Sequence, residues 1–494
     1  KEPFSKKFLW RGSGGNAPGS CMNQYRKLMS DTIILGIGTF ASKALVLLLM
    51  PLYTACLLPE QYNTAELISQ TANLLIPLAC LGVTDGVFRF ALDSRADKPT
   101  VLRTGAGALA AASAGFLILS PLLFLVDYFT GYVWLIILYV LASNFHSVCA
   151  QYVRANDRPK LFAAQGIINT ALVICFNLLF LLLFDMGVVG FVLSVVVADF
   201  MVGVMLLIYA GLYRDLARGR LDRGLMRELL RYSLPLIPTT IFWWITNVSD
   251  RYFVTWLCGD SISGLYAAAY KIPTLLTLVC MVFYEAWQFS AVRDAEEKAQ
   301  SEFFGRVFGY YSGLMFLVGA GVALLCRVFV RLLFASSYAG SWVYIPVLTA
   351  AAVASALTMF MGSVYMVKKK TRLSFLTSMF GALANLALNF SLIPPLGAQG
   401  AAIATLLSYL LVFVIRTVTV QKYIRFKVDY LKLSANALLL AGICAVTVAA
   451  VPFWWAFGAG LMLLMLLANR RELYDCLVGA LGQLGVLKTR QNRN

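Results

Sequence analysis

Long apolar stretches, separated by short polar segments, follow one another along almost the whole chain. A transmembrane helix needs about 20 mostly apolar residues. Fourteen stretches meet this requirement, and they begin near residues 31, 61, 99, 130, 159, 187, 232, 262, 302, 341, 372, 397, 430 and 452. The last two are separated only by a turn around Pro452. The pattern predicts an all-α polytopic membrane protein with about 14 transmembrane helices.

The composition excludes a soluble globular protein. Of the 494 residues, 60% are hydrophobic and 13% are charged, whereas a soluble domain is about half apolar and about a quarter charged. The net charge of +17 does not indicate nucleic-acid binding, because Lys and Arg cluster in alternate loops, near residues 26, 95–103, 154–160, 214–231, 293–306, 368–372, 422–432 and 470. Of the intervening loops, only the one with Arg327 and Arg331 is basic. By the positive-inside rule, both termini are cytoplasmic.

Neither the N-terminal segment nor the cysteines indicate further chemistry. Residues 1–21 have no apolar signal core and precede Met22, so we interpret them as an upstream or cloning-derived segment outside the fold. The ten cysteines lie mostly inside apolar spans, without a CxxC motif or a Cys/His cluster, and are interpreted as small buried hydrophobes. We expect no metal and no cofactor. Because no catalytic motif is present either, the sequence does not predict an enzyme.

An internal repeat divides the chain into two halves. In "FNLLFLLLFDMGVVGFVLS" and "LNFSLIPPLGAQGAAIAT" an Asn is followed, after eight to ten residues, by Gly-x-x-Gly, at 187/190 and at 397/400. At an offset of 201, Leu57 pairs with Cys258, Asn63 with Gly264 and Asp93 with Asp294. Two six-helix lobes in the same orientation, related by an axis along the membrane normal, are a transporter layout with a central site.

The repeat sets the expected domain boundaries. They are an N-terminal lobe at 22–213, a basic cytoplasmic linker helix at 214–231 that lies on anionic lipid, a C-terminal lobe at 232–425, helices 13 and 14 at 426–471, and a cytoplasmic tail at 472–494.

Polar residues of span 2 recur on one face. At 100° per residue, a sector of roughly 80° holds Asn63, Glu66, Gln70, Asn73, Pro77 and Thr84. Such a stripe on a membrane helix predicts a water-filled cavity. The offset of 201 places Lys271 and Glu285 on the matching face of span 8. Lys43 lies in a polar sector of span 1, and the span 7 counterpart holds Thr240, Trp243, Trp244, Asn247 and Arg251, with Asp250 at its edge. We therefore expect a lumen lined by spans 1, 2, 7 and 8.

The basic residues of this lumen are the first site candidates. Lys43 and Lys271 have no acid one turn away in their own helices, and we expect them to contact an anionic substrate. The alternative is a structural pair with an acid from another helix. Arg251 is a further candidate. Because neighbouring helix residues do not face each other, Arg251 and Asp250 should have different partners.

Acidic residues and one histidine are candidates for coupling or gating. The carboxylates Glu66, Glu285 and Asp199 can each carry a coupling proton if desolvated, or be satisfied by hydrogen bonds. Arg89 follows Asp85 by four residues, which predicts a structural ion pair or a gate. His146, the only histidine, shares a face of span 4 with Tyr139 and Ser143. A packed histidine is the favoured reading, with a proton switch as the alternative. Pro77 and Pro273 predict kinks that are either hinges or static.

Three motifs in the first hairpin carry a family resemblance. They are the "SK" at Ser42–Lys43, then "MPLYTACLLPEQYN", then "LGVTDGVFRFALD". From Met22 onward the chain resembles the multidrug/oligosaccharidyl-lipid/polysaccharide exporter superfamily, in its polysaccharide transporter family of Wzx-like flippases. One departure is Asn63 where Gly is usual, although Asn tolerates left-handed geometry. The resemblance implies a flippase that moves an undecaprenyl-diphosphate-linked oligosaccharide across the bacterial cytoplasmic membrane by alternating access.

The resemblance also implies roles and partners. Basic residues would bind the diphosphate, namely Lys43, Lys271 and Arg251. Polar and aromatic residues would contact the sugars, namely Gln70, Asn73, Asn247, Trp243 and Tyr270. The partners are the lipid-linked oligosaccharide and membrane lipids; a polysaccharide polymerase and coupling to a proton or a sodium ion are left open.

Three other functions remain as alternatives. A cation-coupled multidrug exporter of the same superfamily should have a net acidic cavity, whereas here three bases, Lys43, Arg251 and Lys271, face three acids, Glu66, Asp250 and Glu285. A flippase for lipid II or another peptidoglycan precursor differs mainly in head group. A lipid-scrambling or scaffold role comes third.

Overall fold

The computed structural model describes residues 47–93, 96–156, 158–291, 297–368, 370–472 and 474. Helices form because a backbone inside a bilayer must satisfy its own hydrogen bonds. The N-terminal half contains α1 (Met50–Cys56), α2 (Pro59–Ala79), α3 (Val83–Ala91), α4 (Lys98–Leu119), α5 (Val133–Ala155), α6 (Pro159–Asn177) and α7 (Gly187–Tyr209). Short helices α8 (Leu212–Arg218) and α9 (Arg223–Ser233) lead into the second half.

The C-terminal half contains α10 (Ile237–Cys258), α11 (Asp260–Ala269), α12 (Thr274–Ala291), α13 (Glu297–Leu324), α14 (Cys326–Leu333), α15 (Ile345–Val367), α16 (Thr371–Leu396) and α17 (Ala398–Val420). Two last helices follow, α18 (Tyr430–Val448) and α19 (Trp454–Ala468). Shorter 3₁₀ segments lie at Ser120–Leu125, Asp127–Tyr132, Leu234–Leu236 and Ser336–Val343, and a π-helical segment extends α6 at Leu178–Leu183.

The all-α prediction is confirmed for the described residues, in which only helices, turns and irregular segments occur. Ten helical spans are long and apolar enough to cross a membrane, and α2 with α3 forms an eleventh that is bent by 56°. The 22-residue α10 and the 15-residue α19 cover predicted spans 7 and 14. Of span 1, the described residues contain only the end, with α1. The helices therefore follow the predicted order of spans.

Both halves break the second helix. In the first half, Leu81 and Gly82 have φ of 51° and 66° just after Pro77, and the Gly82 N–H bonds to the Pro77 carbonyl at 3.1 Å. In the second half, residues 270–273 form a turn between α11 and α12 that ends at Pro273. Breaks are present in both helices, but the first lies at the left-handed Leu81 and Gly82, because α2 continues through Pro77 to Ala79. Whether they act as hinges stays a prediction.

The Gly-x-x-Gly motif serves the same purpose in each half. The first glycine, Gly187 or Gly397, has a φ of 53° or 59°, which an L-residue rarely adopts. The second allows close approach of two helix ends, since a Cβ on Gly400 would lie 2.2 Å from the Leu392 carbonyl oxygen. Each repeat thus builds a tight turn between consecutive antiparallel helices.

Three apolar cores show how the halves meet. We call the end of the bundle that holds α8 and α9 the linker end, and the end that holds the turns at 57–59, 184–187 and 258–260 the turn end. One core lies at the turn end and includes residues of both halves, such as Tyr62, Phe191, Tyr266 and Tyr338. At the linker end each half has a separate core. The two halves are therefore packed together at the turn end.

The linker differs from the single helix predicted at 214–231. It forms two short helices, α8 and α9, with an irregular segment from Gly219 to Asp222 between them. A Cβ on Gly219 would lie 2.2 Å from the Pro99 carbonyl oxygen, so the chain passes directly over the start of α4. Asp222 caps α9 by accepting from two backbone N–H groups. The helix breaks because it follows the surface of the first half.

Candidate functional site

A carboxylate shared by two cations lies where the halves meet. Glu66 on α2 accepts a hydrogen bond from Arg251 Nη1 on α10 at 2.6 Å, and both its oxygens lie 3.0 Å from Lys271 Nζ, in the turn after α11. Gln70 Nε2, one turn along α2, also donates to Glu66 at 2.9 Å. Spans 2, 7 and 8 thus converge, as the lumen hypothesis expected. The sum of these three charges is +1.

The members of this cluster differ in exposure. The side chains of Glu66 and Arg251 are 4% and 5% exposed, while Lys271 is 21% exposed. The contact of Lys271 with Glu66 is the alternative given above, a pair with an acid from another helix. A partly exposed ammonium can nevertheless reach an anion without uncovering the pair behind it. The contact between Lys271 and a substrate stays a prediction.

Asp250 has different partners from Arg251, as expected for adjacent helix residues. Its carboxylate accepts from the Tyr266 hydroxyl at 2.7 Å and from Thr405 Oγ1 at 3.5 Å, and it also accepts from the Arg251 backbone N–H at 2.9 Å. Buried Asn385 donates to Thr405 at 3.4 Å. Asp250 therefore faces the interior of the second half rather than the interface between halves.

Aromatic groups flank the shared carboxylate. The Arg251 guanidinium lies over the Tyr270 ring at 4.8 Å, a cation–π contact. Trp244 Nε1 donates to the Gln70 carbonyl at 3.0 Å, which ties α10 to α2. Asn247, predicted to contact sugar, accepts from the Tyr409 hydroxyl at 2.6 Å inside the second half. Tyr270 and Gln70 therefore lie at the cluster, while Asn247 points to one side of it.

The polar stripe of span 2 is only partly exposed, which corrects the prediction of a wholly water-filled face. Asn63 is fully buried and donates to Asp260 at 2.9 Å, and the Tyr128 hydroxyl donates to the same carboxylate at 2.7 Å. Toward the linker end, Gln70 is half-buried and Asn73 is exposed. The outer part is buried because closure at the turn end covers it.

A second polar cluster lies inside the first half. Asp199 on α7 accepts from Asn169 Nδ2 at 3.0 Å, from Ser143 Oγ, and lies 3.1 Å from His146 Nδ1. His146 Nε2 lies 2.6 Å from Gln165 Oε1 on α6. Asp199 is thus a hydrogen-bonded acid, and His146 contacts it through the predicted face of span 4.

One buried cation was missed by the sequence analysis. Arg416 on α17 is 8% exposed and donates to the Thr358 carbonyl at 3.1 Å, to Thr377 at 3.0 Å and to Ser378 at 3.1 Å. Among the described residues it forms no ion pair. Its position within an apolar span was a usable signal, because a charge inside the membrane is costly unless other protein groups satisfy it.

Some predicted site residues fall outside the described part or differ from expectation. Lys43 lies outside the described residues, and so do the side chains of Trp243 and Glu285. The ion pair predicted between Asp85 and Arg89 is wrong: both side chains are described, and no ion pair joins them. Both residues are exposed, and water leaves such a pair little net gain.

The structure consists of two helical halves, packed together at one end, with charged groups between them. The chain belongs to the polysaccharide biosynthesis protein family, whose model matches residues 28–287, more than half of the chain. No curated protein matches the chain in sequence.

Solved structures share the fold at low identity. A structure described as the lipid II flippase MurJ in an inward closed conformation has a TM-score of 0.67 at 15% identity, covering 90% of this chain and 100% of that one. A structure described as an inward-facing multidrug resistance MATE family transporter of the MOP superfamily has a TM-score of 0.63 at 14% identity. The match covers 80% of this chain and 95% of that one. A structure of a MOP superfamily transporter from Pyrococcus furiosus has a TM-score of 0.57 at 12% identity. The match covers 82% of this chain and 96% of that one. The chain therefore shares the fold of these transporters.

Proposed function

We propose that the protein is a flippase that moves an undecaprenyl-diphosphate-linked oligosaccharide from the inner to the outer leaflet of the bacterial cytoplasmic membrane. The observation that carries the proposal is the excess cation at Glu66. A carrier of such a lipid must hold a diphosphate away from hydrocarbon, which requires basic groups. Arg251 neutralises Glu66, and Lys271, the more exposed cation, is then available to the phosphate oxygens.

The packing of the halves supports alternating access. The turn end is closed by a shared apolar core, and the polar stripe becomes exposed toward the linker end. The basic loops lie at the linker end, so the positive-inside rule makes that end cytoplasmic. In this state Lys271, the partly exposed member of the cluster, would be reached from the cytoplasm, where a lipid-linked precursor would enter. Transport requires the turn end to open and the linker end to close.

The charge balance disfavours an exporter of cationic drugs. The sequence left three acids against three bases, but Asp250 turns into the second half. The charges of the Glu66 cluster, Glu66 with Arg251 and Lys271, sum to +1, while Asp260 lies apart from it at the closed turn end, where it accepts from Asn63 and Tyr128. A positive site repels a cationic substrate and attracts a diphosphate. The same charge suits the diphosphate of lipid II, so the head group is decided by experiment.

The test is flipping in liposomes that carry a fluorescent undecaprenyl-diphosphate oligosaccharide. Lys271→Gln should abolish outward movement, and Lys271→Arg should retain part of it. Lys432→Gln is the matched control, because Lys432 is also paired with one acid, Glu472, and is 24% exposed. Lys43→Ala tests the predicted lumen residue of span 1.

Each outcome has a definite meaning. Loss in Lys271→Gln with an active control supports a basic head-group site. Wild-type protein that moves lipid II and leaves the oligosaccharide lipid in place would identify a peptidoglycan-precursor flippase. Export of cationic dyes in place of either lipid would identify a multidrug exporter.

A further inference from the structure

The polar cluster inside the first half brings the only histidine of the chain between two hydrogen-bond acceptors. The carboxylate of Asp199 lies 3.1 Å from Nδ1 of His146, and the carbonyl oxygen of the Gln165 side chain lies 2.6 Å from Nε2. An imidazole that faces two acceptors has to donate from both nitrogens, and only the protonated ring does so. The arrangement therefore matches an imidazolium paired with a carboxylate.

The cluster is enclosed. The side chains of His146 and Asp199 are 13% and 10% exposed, and Gln165 is buried. Asp199 also accepts from Ser143 and Asn169. Three donors therefore converge on one carboxylate, which satisfies its negative charge inside the helical bundle. A proton on His146 completes this set, and its loss leaves Asp199 without a cationic partner.

No other charged group contacts the imidazole among the described residues. The elements packed against α5 are α2, α3, α4, α6, α7 and the 3₁₀ segments before α5. Their charged residues, with the one on α5 itself, are Glu60, Glu66, Asp85, Arg89, Lys98, Arg103, Asp127, Arg154, Lys160 and Asp199. Of these charged residues, only Asp199 hydrogen-bonds to His146. The charge of the cluster is thus decided by one proton.

Loss of that proton changes the hydrogen bond that the Gln165 side chain can make to His146. A neutral ring that still donates from Nδ1 to Asp199 presents a lone pair at Nε2, which opposes the Gln165 oxygen. The amide relieves this conflict by rotating half a turn and donating its NH₂. Gln165 and Asn177 are the only buried residues of α6. The protonation state is therefore transmitted to one of the few buried contacts that this helix makes.

We propose that His146 and Asp199 form a proton-binding site whose occupancy is transmitted to α6 through Gln165. Proton binding itself does not depend on the substrate. Its coupling to transport rests on the proposed function, because a proton that changes the attachment of α6 would bias the first half between its two transport states. The opposing reading is a packed histidine that never titrates.

The first test needs no variant. Because the chain contains one histidine, ¹⁵N-histidine labelling of the full chain in nanodiscs, purified on a tag without histidine, gives one imidazole spectrum. We expect the two-N–H signature of imidazolium to convert to a neutral tautomer within about pH 5 to 8. A single neutral form over that whole range would overturn the proposal, whatever the substrate.

The second test separates binding from coupling. With a pH difference imposed across liposomes, flipping by wild-type protein should change by about five-fold or more. His146→Asn and Gln165→Met should both lose this dependence. Thr170→Val is the control, because within the described part of the chain Thr170 bonds only to its own helix, at the Gly166 carbonyl. If His146 titrates but His146→Asn keeps the full dependence, the coupling role is refuted. If wild type moves no lipid, the proposed function fails while the spectrum still decides proton binding.

Discussion

Three substitutions in the Glu66 cluster should differ in stability in a fixed order, because one carboxylate serves two cations. Glu66→Gln removes the only negative charge and leaves Arg251 and Lys271 facing each other. Arg251→Met leaves a neutral pair of Glu66 and Lys271 but loses a hydrogen bond of 2.6 Å. Lys271→Met leaves the neutral and more deeply buried pair of Glu66 and Arg251. The expected order of destabilisation is Glu66→Gln, then Arg251→Met, then Lys271→Met.

The magnitudes follow from burial. Arg251 is 5% exposed, and removing the partner of a buried charge costs about 3 to 5 kcal/mol. Lys271 is 21% exposed, so its contact resembles a surface pair, which contributes up to about 1 kcal/mol. Arg251→Met should fall between these values, because Glu66 keeps one cation and methionine fills much of the volume.

The measurement is the free energy of unfolding in mixed micelles, from a reversible SDS titration followed by circular dichroism. Lys432→Met, at the pair with Glu472, is the control for loss of a lysine that is partly exposed like Lys271. If Lys271→Met destabilises as much as Glu66→Gln, the shared-carboxylate reasoning is wrong. A stability of Glu66→Gln within about 1 kcal/mol of wild type would refute it equally. Lys271→Met that is stable but inactive in flipping separates binding from folding.

Three further predictions test other parts of the structure. Gly264→Val should prevent closure of the turn end and abolish flipping, because a Cβ there would lie 1.9 Å from the Pro59 carbonyl oxygen; turn-end accessibility to a bulky reagent should rise. Arg416→Lys should lose at least one charge-assisted hydrogen bond, about 1.5 to 3 kcal/mol in the SDS titration. Gly397→Ala should lower stability, by about 1 kcal/mol or more in the same titration, because φ is 59° with ψ of −148°; an unchanged value would contradict the backbone argument.

The relation between sequence and structure is clearest at the helices and the repeat. Apolar length and the alternation of basic loops are local properties, and each predicted span that lies wholly within the described residues contains a helix. The Gly-x-x-Gly repeat is local as well, since a left-handed φ at Gly187 and Gly397 favours glycine whatever surrounds it. Helical periodicity, together with the offset of 201 between the halves, was sufficient to place Glu66, Arg251 and Lys271 toward one interface.

The partners of those charges were decided by tertiary structure alone. Glu66 is separated from Arg251 by 185 residues and from Lys271 by 205, so no spacing within one helix predicts their contact. The same holds for Gln165 and His146, whose contact depends on how α6 lies against α5. Sequence determined which residues are too polar for lipid. Rotation, register and crossing of packed helices determined which of them meet, and which end of the bundle is closed, because those quantities belong to pairs of helices and not to either one.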